Sequence, residues 1–417
     1  MTLPPALRYA AYLKYWLAAM ASVSGFQILR FAQLWLVHEL SESPLALGYV
    51  GMANAVPAIS LNLFGGILAD KFDKRKLIMT AQTIASILVF VLATLTLVGA
   101  VEVWHIIAIA FLAGVVEAFY GPAHESLYPH LVERKALVSA VALDSSLWQG
   151  NRIIAPAIAG VIIATAGTAA AFFVAGIGFI TMAIVLSTLK VPPIPRTQGT
   201  SAARDLLNGF RFLKNNSIVA FLIGMTFFNS FFGLAYIMLL PIFTVDVLGV
   251  DADRQGLLMA VGGLGALKTT LWLGSRSSTG GKGMLLIGGA VTYGLALAAF
   301  ALTSEYVGNY WLAFALIYVM GVTNSAYMIS VMSSLQMLIP DHMRGRVMGL
   351  FGMTWSFMPL GGTQASAVAN FIGAPFAIAI GGFLVSAFAI GPALINRQVR
   401  NLGTLLLRGE QASVTSD

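Results

Sequence analysis

The stretch GGILADKFDKRKL, from Gly65 to Leu77, places two acids and four bases in one short turn. These charges are Asp70, Lys71, Asp73, Lys74, Arg75 and Lys76. More than twenty residues with almost no charge lie on either side of the turn. Apolar runs of that length are long enough to cross a bilayer as helices, so the turn is predicted to be a loop at a membrane surface.

The composition extends this interpretation to the whole chain. Of its 417 residues, 58% are hydrophobic and 10% are charged, whereas a soluble domain is about 25% charged. The apolar runs are continuous rather than alternating, which favours membrane helices over a barrel. We therefore attribute the net charge of +7 to membrane topology and expect no nucleic-acid partner. The absence of cysteine excludes disulfides and thiolate metal sites.

The hydropathy pattern predicts twelve spanning helices in two sets of six. They lie near 15–37, 45–68, 77–98, 104–127, 138–164, 168–189, 217–245, 255–274, 283–303, 309–337, 346–370 and 375–396. Pro192, Pro193 and Pro195 are expected to end the sixth helix. The predicted domains are an N-terminal bundle (1–190), a cytoplasmic linker with a short amphipathic helix (191–216), a C-terminal bundle (217–396) and a cytoplasmic tail (397–417).

The positive charges predict the orientation of the chain. One side of the membrane carries both termini and every second loop, and it holds 20 of the 24 Lys and Arg residues. The opposite side holds Arg254. By the positive-inside rule both termini are cytoplasmic, in a cell inner (plasma) membrane.

The opening turn resembles the loop 2–3 signature of the major facilitator superfamily, G-x-x-x-D-[RK]-x-G-[RK]-[RK]. Gly66, Asp70, Lys71, Lys74 and Arg75 match it, while Asp73 replaces a glycine. The resemblance implies an all-α integral membrane transporter of two six-helix bundles. It also implies that the turn is a conformational latch; the alternative is a plain topology anchor.

A second stretch, NRIIAPAIAG from Asn151, resembles the superfamily's antiporter motif through Pro156 and Gly160. It implies antiport, and ordinary small-residue packing is the alternative. The stretches FYGPAHESLYPHLVERKAL and LQMLIPDHMRGRVMGLFGM are similar to the drug- and siderophore-exporting branch of the superfamily.

Charges inside predicted helices are the main candidates for function, because a charge in the bilayer must be paired or face water. Glu117, Arg30 and Arg152 lie in helices that line or flank the cavity of the superfamily. We expect Glu117 to take up protons and the two arginines, with Gln27 and Gln149, to bind substrate. The alternatives are a static ion pair such as Glu117–Arg152 and, for Arg30 and Lys268, a side chain that extends to the membrane surface.

Two further groups complete the predicted site. His124 can assist proton transfer, because the ordinary pKa of histidine is near 6.5, or it is an ordinary hydrogen-bonded residue. In the second half the candidate substrate residues are Asn229, Tyr236, Asn324 and Tyr327, and packing is the alternative for each.

These observations predict a proton-coupled exporter of small amphipathic or anionic molecules, working by alternating access as a monomer among membrane lipids. We expect no enzyme activity, metal or cofactor, because no P-loop, catalytic triad or histidine cluster stands out. The alternatives are a uniporter or a lipid or lysolipid transporter of the same fold, and then a non-transporting receptor or a lipid-modifying enzyme.

Overall fold

The computed structural model describes residues 4–41, 43–189, 202–275 and 282–395. Within these ranges the side chains of 62–71, 202–206, 282–284, 341–342, 392–393 and 395 are not described. The described backbone is helical apart from short turns, and these ranges contain no strand. The predicted all-α architecture is confirmed.

The first half of the chain forms six long helices. They are α1 (Ala10–Ser41), α2 (Pro44–Lys71), α3 (Lys74–Leu97), α4 (Val103–Leu127), α5 (Leu137–Ala166) and α6 (Thr168–Thr188). Two 3₁₀ turns, Tyr128–Leu131 and Arg134–Ala136, join α4 to α5. The prolines expected to end the sixth helix lie outside the described residues.

The second half contains nine α-helices in its described part. They are α7 (Ala202–Asn215), α8 (Ser217–Phe228), α9 (Tyr236–Ile242), α10 (Ala252–Gly274), α11 (Lys282–Val307), α12 (Tyr310–Leu338), α13 (Asp341–Ser356), α14 (Met358–Ile372) and α15 (Ala374–Ile395). Two π-helical segments, Asn229–Gly233 and Phe243–Val247, follow α8 and α9. The short helix α7 corresponds to the predicted amphipathic helix.

Ten described helical stretches are long and apolar enough to cross a membrane. They match ten of the twelve predicted segments. The other two correspond to α1, which contains Gln27, Arg30 and Gln33, and to the pair α13–α14. The structure is consistent with twelve spans.

Two of the predicted segments contain local interruptions that the hydropathy pattern does not reveal. The segment predicted at 346–370 is broken at Phe357, where Pro359 follows at the second position of α14 and provides no amide hydrogen for a longer helix. The segment predicted at 217–245 is interrupted by the π-helical segment Asn229–Gly233. Segments of this kind inside membrane helices frequently mark functional positions.

The described chain forms two compact units. Unit 1 comprises Met1–Gln198 and Val250–Ala260, and unit 2 comprises Gly199–Gly249 and Val261–Asp417. In unit 1, α2 packs on α4, α3 packs on α6, and α1 packs on α5 and α6. Tyr12, Tyr15 and Leu127 are fully buried in the core of unit 1, and Leu222 and Tyr327 are fully buried in the core of unit 2.

Candidate functional site

The predicted residues Arg30 and Glu117 meet in unit 1. The Nη2 of Arg30 lies 3.5 Å from Oε2 of Glu117 and donates a hydrogen bond of 3.1 Å to Oδ1 of Asn54. The side chains of Arg30 and Glu117 are 42% and 32% exposed. Strong charge-assisted hydrogen bonds measure about 2.7–2.9 Å. The pair is therefore loose and open, so a bound molecule can reach both charges.

Close packing of α2 on α4 brings Asn54 to this pair. Gly114 precedes Glu117 by one turn on α4, and a Cβ at Gly114 would overlap the carbonyl oxygen of Asn54. The same Cβ would lie 2.8 Å from Cγ of Pro57. Only glycine fits at this crossing without movement of one helix. The sequence analysis missed Asn54, because its partner Arg30 lies on another helix.

An aromatic ring supports the arginine. The guanidinium carbon of Arg30 lies 4.4 Å from the ring centre of Phe26, and Trp148 meets Phe26 edge-on at 6.4 Å. Stacking on a ring holds the guanidinium plane in position while its outer N–H groups stay available. Gln27 is half-buried on α1, next to Phe26. The arrangement can accept an anionic or oxygen-rich group.

His124 lies in a second, buried polar cluster of unit 1. Its Nε2 is 2.9 Å from Oδ1 of Asp144, and its Nδ1 is 2.6 Å from the Tyr15 hydroxyl. His124 and Asp144 are 2% and 7% exposed. The Tyr15 hydroxyl can donate to a neutral imidazole or accept from a protonated one, so both states keep their hydrogen bonds. The cluster is chemically able to hold and return a proton.

The sequence analysis missed Asp144, although the signal was present. Asp144 is an acid inside a predicted spanning segment, the same criterion that selected Glu117. Its side chain, with those of His124 and Glu125, offers one nitrogen and two carboxylate oxygens within 4.8 Å of one another. That set could hold a divalent ion, but the Nε2 of His124 and the carboxylate of Asp144 already bond to each other.

The remaining predicted residues of unit 1 include four on α5. Gln149 and Arg152 have exposed side chains, and Glu117 forms an ion pair with Arg30. Pro156 and Gly160 contact the first turns of α10, which belong to unit 1. A Cβ at Gly160 would overlap the carbonyl oxygen of Ala252. The antiporter-like stretch is therefore a close helix crossing.

The charged turn is described only in part. Gly66, Asp70 and Lys71 lie in the last turns of α2, and their side-chain contacts lie outside the described residues. Asp73 caps α3 by accepting from the backbone N–H groups of Arg75 and Lys76. This explains the departure from the family glycine: the position is used as a helix cap.

The basic residues of the turn pack within unit 1. The guanidinium of Arg75 donates to the carbonyl oxygens of Leu186 and Ser187, at 2.6 and 2.5 Å, at the end of α6. Lys74 is buried. In this structure Arg75 ties α3 to α6, and its role as a latch stays a prediction.

The predicted residues of unit 2 divide into two groups. Asn229 is fully buried, and its Nδ2 donates 3.1 Å to Oδ1 of the half-buried Asn324. Tyr327 is 1% exposed and packs within the unit 2 core. Tyr236 is half-buried, 6.2 Å from the ring of Phe300. The structure therefore brings Asn229 and Asn324 together and buries Tyr327 in the bundle.

Comparison with known proteins gives the family. Residues 2–404 match the family model described as transmembrane secretion effector. The chain is 25% identical to the staphyloferrin A transporter of Staphylococcus aureus, over 88% of this chain and 91% of that protein. It is 22% identical to macrolide efflux protein A of Streptococcus pyogenes, over 93% and 96%. It is 27% identical to the enterobactin exporter of Shigella boydii, over 69% and 68%.

Solved structures agree on the fold. A bacterial homologue of the lysosomal transporter Spinster superposes with a TM-score of 0.68 at 16% identity, covering 100% of this chain and 94% of that chain. A D-xylose–proton symporter superposes with a TM-score of 0.68 at 15% identity, covering 92% and 97%. The fold is that of the major facilitator superfamily.

Proposed function

We propose that this chain, which belongs to the transmembrane secretion effector family of the major facilitator superfamily, is a proton-coupled exporter of small amphipathic or anionic molecules. The chain is a multi-pass membrane transporter and not an enzyme. Relatives named for staphyloferrin A, macrolides and enterobactin support export of such molecules. The contact of Arg30 with both Glu117 and Asn54 carries the proposal.

Because Arg30 holds Glu117 only weakly, a ligand can take the place of either partner. A partly exposed ion pair contributes about 0–1 kcal/mol, so an incoming ligand can replace it at little cost. We propose that a substrate oxygen accepts from Arg30 while a substrate O–H or N–H donates to Glu117. A proton on Glu117 removes the negative charge and turns one carboxylate oxygen into a donor, which weakens the hold on that substrate group. Substrate and proton then compete for one carboxylate, as exchange of the two across the membrane requires.

The remaining predicted residues receive roles consistent with this exchange. His124, held by Asp144 and Tyr15, passes protons towards Glu117. Substrate is contacted in unit 1 by Gln27, Arg30, Gln149 and Arg152, and in unit 2 by Asn229, Tyr236, Asn324 and Tyr327. Gly66, Asp70, Lys71, Lys74 and Arg75 form the latch of an alternating-access cycle, and Pro156 and Gly160 the antiporter-like crossing.

The setting of the transporter is part of the proposal. The bias of Lys and Arg places both termini in the cytoplasm, with the chain in a plasma membrane. The chain acts as a monomer and needs no cofactor.

Transport by purified protein in liposomes tests the proposal. The probes are staphyloferrin A, enterobactin and a macrolide, each measured with and without an opposing proton gradient. We expect the gradient to accelerate transport of at least one probe. Glu117→Gln should remove this acceleration and retain transport of the probe down its own gradient. The exposed Glu133→Gln serves as the control and should behave as wild type.

Two results would reject proton coupling at Glu117. One is wild-type transport that is equal with and without the gradient. The other is an acceleration that persists in Glu117→Gln.

A further inference from the structure

An apolar groove lies between α3 and α4, and neither Arg30 nor Glu117 lines it. Its volume is about 300 Å³, at the lower end of the range of ligand pockets. Its walls include Leu77, Ala81, Ile84 and Leu88 from α3 and Leu112 and Phe119 from α4. Thr80 is the one lining residue with a polar side chain. Both walls belong to helices that are long and apolar enough to cross the bilayer.

The length of the groove fits one leaflet of a membrane. Leu77 and Leu88 are eleven positions apart on α3, which corresponds to about 16 Å at 1.5 Å per residue. The hydrocarbon core of a bilayer is about 30 Å thick. The groove thus extends from the end of α3 that carries the charged turn to about the middle of the bilayer. An acyl chain of a lipid in that leaflet has the same span.

The mouth of the groove carries positive charge. Lys76 precedes Thr80 by one turn of α3 and has an exposed side chain, for which the described residues show no acidic partner. Lys74 precedes the groove residue Leu77 by three positions. The carboxylate of Asp73 is engaged with backbone N–H groups. A base is therefore available where a lipid headgroup would lie.

An exposed aromatic residue marks the same end of the helix. Phe72, in the turn before α3, is 63% exposed. A large apolar side chain next to lysines at the end of a spanning helix is typical of a segment at the membrane surface. Continuous apolar walls, one-leaflet length and a basic mouth together match a phospholipid better than a compact polar solute.

We propose that this groove binds one acyl chain of an anionic phospholipid whose headgroup pairs with Lys76. The site lies within unit 1, and its lining contains none of the proposed proton and substrate residues. Clusters of bases at the cytoplasmic ends of membrane helices attract acidic headgroups. Binding uses both parts of the lipid: the acyl chain fills the groove, and Lys76 selects a negatively charged headgroup.

Native mass spectrometry of the full chain tests this site. The protein is reconstituted with equal amounts of phosphatidylglycerol and phosphatidylethanolamine that carry the same acyl chains, and the lipids retained after release are counted. We expect wild type to retain one phosphatidylglycerol in preference to phosphatidylethanolamine. Lys76→Gln should reduce this preference about fivefold, the change expected for one lysine at an anionic surface. The exposed Lys14→Gln is the charge control.

A second variant tests the groove itself. Thr80→Phe places a ring in the mouth, and it should reduce retention of both lipids alike. Val91→Phe, at a 48% exposed position of α3 outside the groove, should retain lipid as wild type does. Lys76→Gln leaves the walls intact, so its result stands even where Thr80→Phe fails to fold.

Three outcomes would overturn the proposal. They are equal retention of the two lipids by wild type, an unchanged preference in Lys76→Gln, and displacement of the retained lipid from the groove by a transported probe. The last result would assign the groove to the substrate. Lipid retention needs no transport, so this test and the proton-coupling test fail separately.

Discussion

Removing the Asp144 carboxylate should destabilise unit 1 through His124. The two side chains meet at 2.9 Å and are nearly buried, and the other ring nitrogen of His124 is bonded to Tyr15. In Asp144→Ala the Nε2 of His124 loses its partner inside the bundle. A lost hydrogen bond to a charged group is worth about 1.5–3 kcal/mol, and breaking a buried pair costs about 3–5 kcal/mol. We expect a loss of about 3 kcal/mol.

Asp144→Asn distinguishes the contribution of the hydrogen bond to stability from that of the negative charge. The asparagine keeps an acceptor oxygen for the imidazole N–H and loses only the negative charge, so we expect a smaller loss of about 1 kcal/mol. For a unit of about 200 residues, 1 kcal/mol shifts the melting temperature by about 2–4 °C. Asp144→Ala should therefore lower it by about 6–12 °C, and Asp144→Asn by about 2–4 °C.

Thermal unfolding in detergent, followed by size-exclusion chromatography of the heated samples, measures these shifts. Ser146→Ala is the matched control, because Ser146 is exposed on the same helix and its hydroxyl donates to the carbonyl of Ala142 one turn earlier. It should shift the melting temperature by less than about 2 °C. An Asp144→Ala protein as stable as this control would refute the view that the carboxylate holds His124 in place.

Three further changes follow from contacts in the structure. Arg75→Ala removes two hydrogen bonds to the carbonyls that end α6 and should cost about 1–3 kcal/mol of unfolding free energy, seen as a lower melting temperature. An unchanged melting temperature would contradict the view that Arg75 stabilises the packing of α3 on α6. Gly114→Ala forces a methyl group against the Asn54 carbonyl, so it should cost about 1–3 kcal/mol of unfolding free energy and reduce transport. Gly121→Ala on the same helix meets open space and should be neutral. Equal effects of the two substitutions would refute the view that Gly114 permits the close crossing of α2 and α4. Asn229→Ala leaves its amide partner on α12 unpaired and should lower the melting temperature by a few degrees, and no change would mean that the contact is dispensable.

The helices of this protein are predictable because each is encoded locally. Apolar runs bounded by polar turns indicate where the spanning segments lie and in what order, and a turn such as Asp73–Lys76 provides its own cap. The break at Phe357 was missed because Met358 continues the apolar pattern across it and the signal is a single proline two residues after the break. Hydropathy averages over such a residue.

The site was only partly predictable because its contacts join distant helices. Glu117 and Arg30 are recognisable singly as charges inside spans, but their mutual contact joins α1 to α4, and Asn54 reaches Arg30 from α2, which crosses α4 closely at Gly114. His124 is bonded to residues 20 and 109 positions away, Asp144 and Tyr15. No pattern within one helix specifies those partners.

Competition between proton and substrate for Glu117 is the central claim, and the pH dependence of ligand affinity tests it most directly. The dissociation constant of a transported probe is measured in detergent from pH 5.5 to 8 for wild type, Glu117→Gln and His124→Gln. Because a proton on Glu117 neutralises the carboxylate that accepts from the substrate, we predict that wild-type affinity weakens on acidification. The dependence should vanish in Glu117→Gln and persist in His124→Gln, since His124 relays protons without binding substrate. Affinity that strengthens on acidification, or a dependence retained in Glu117→Gln, would contradict the account.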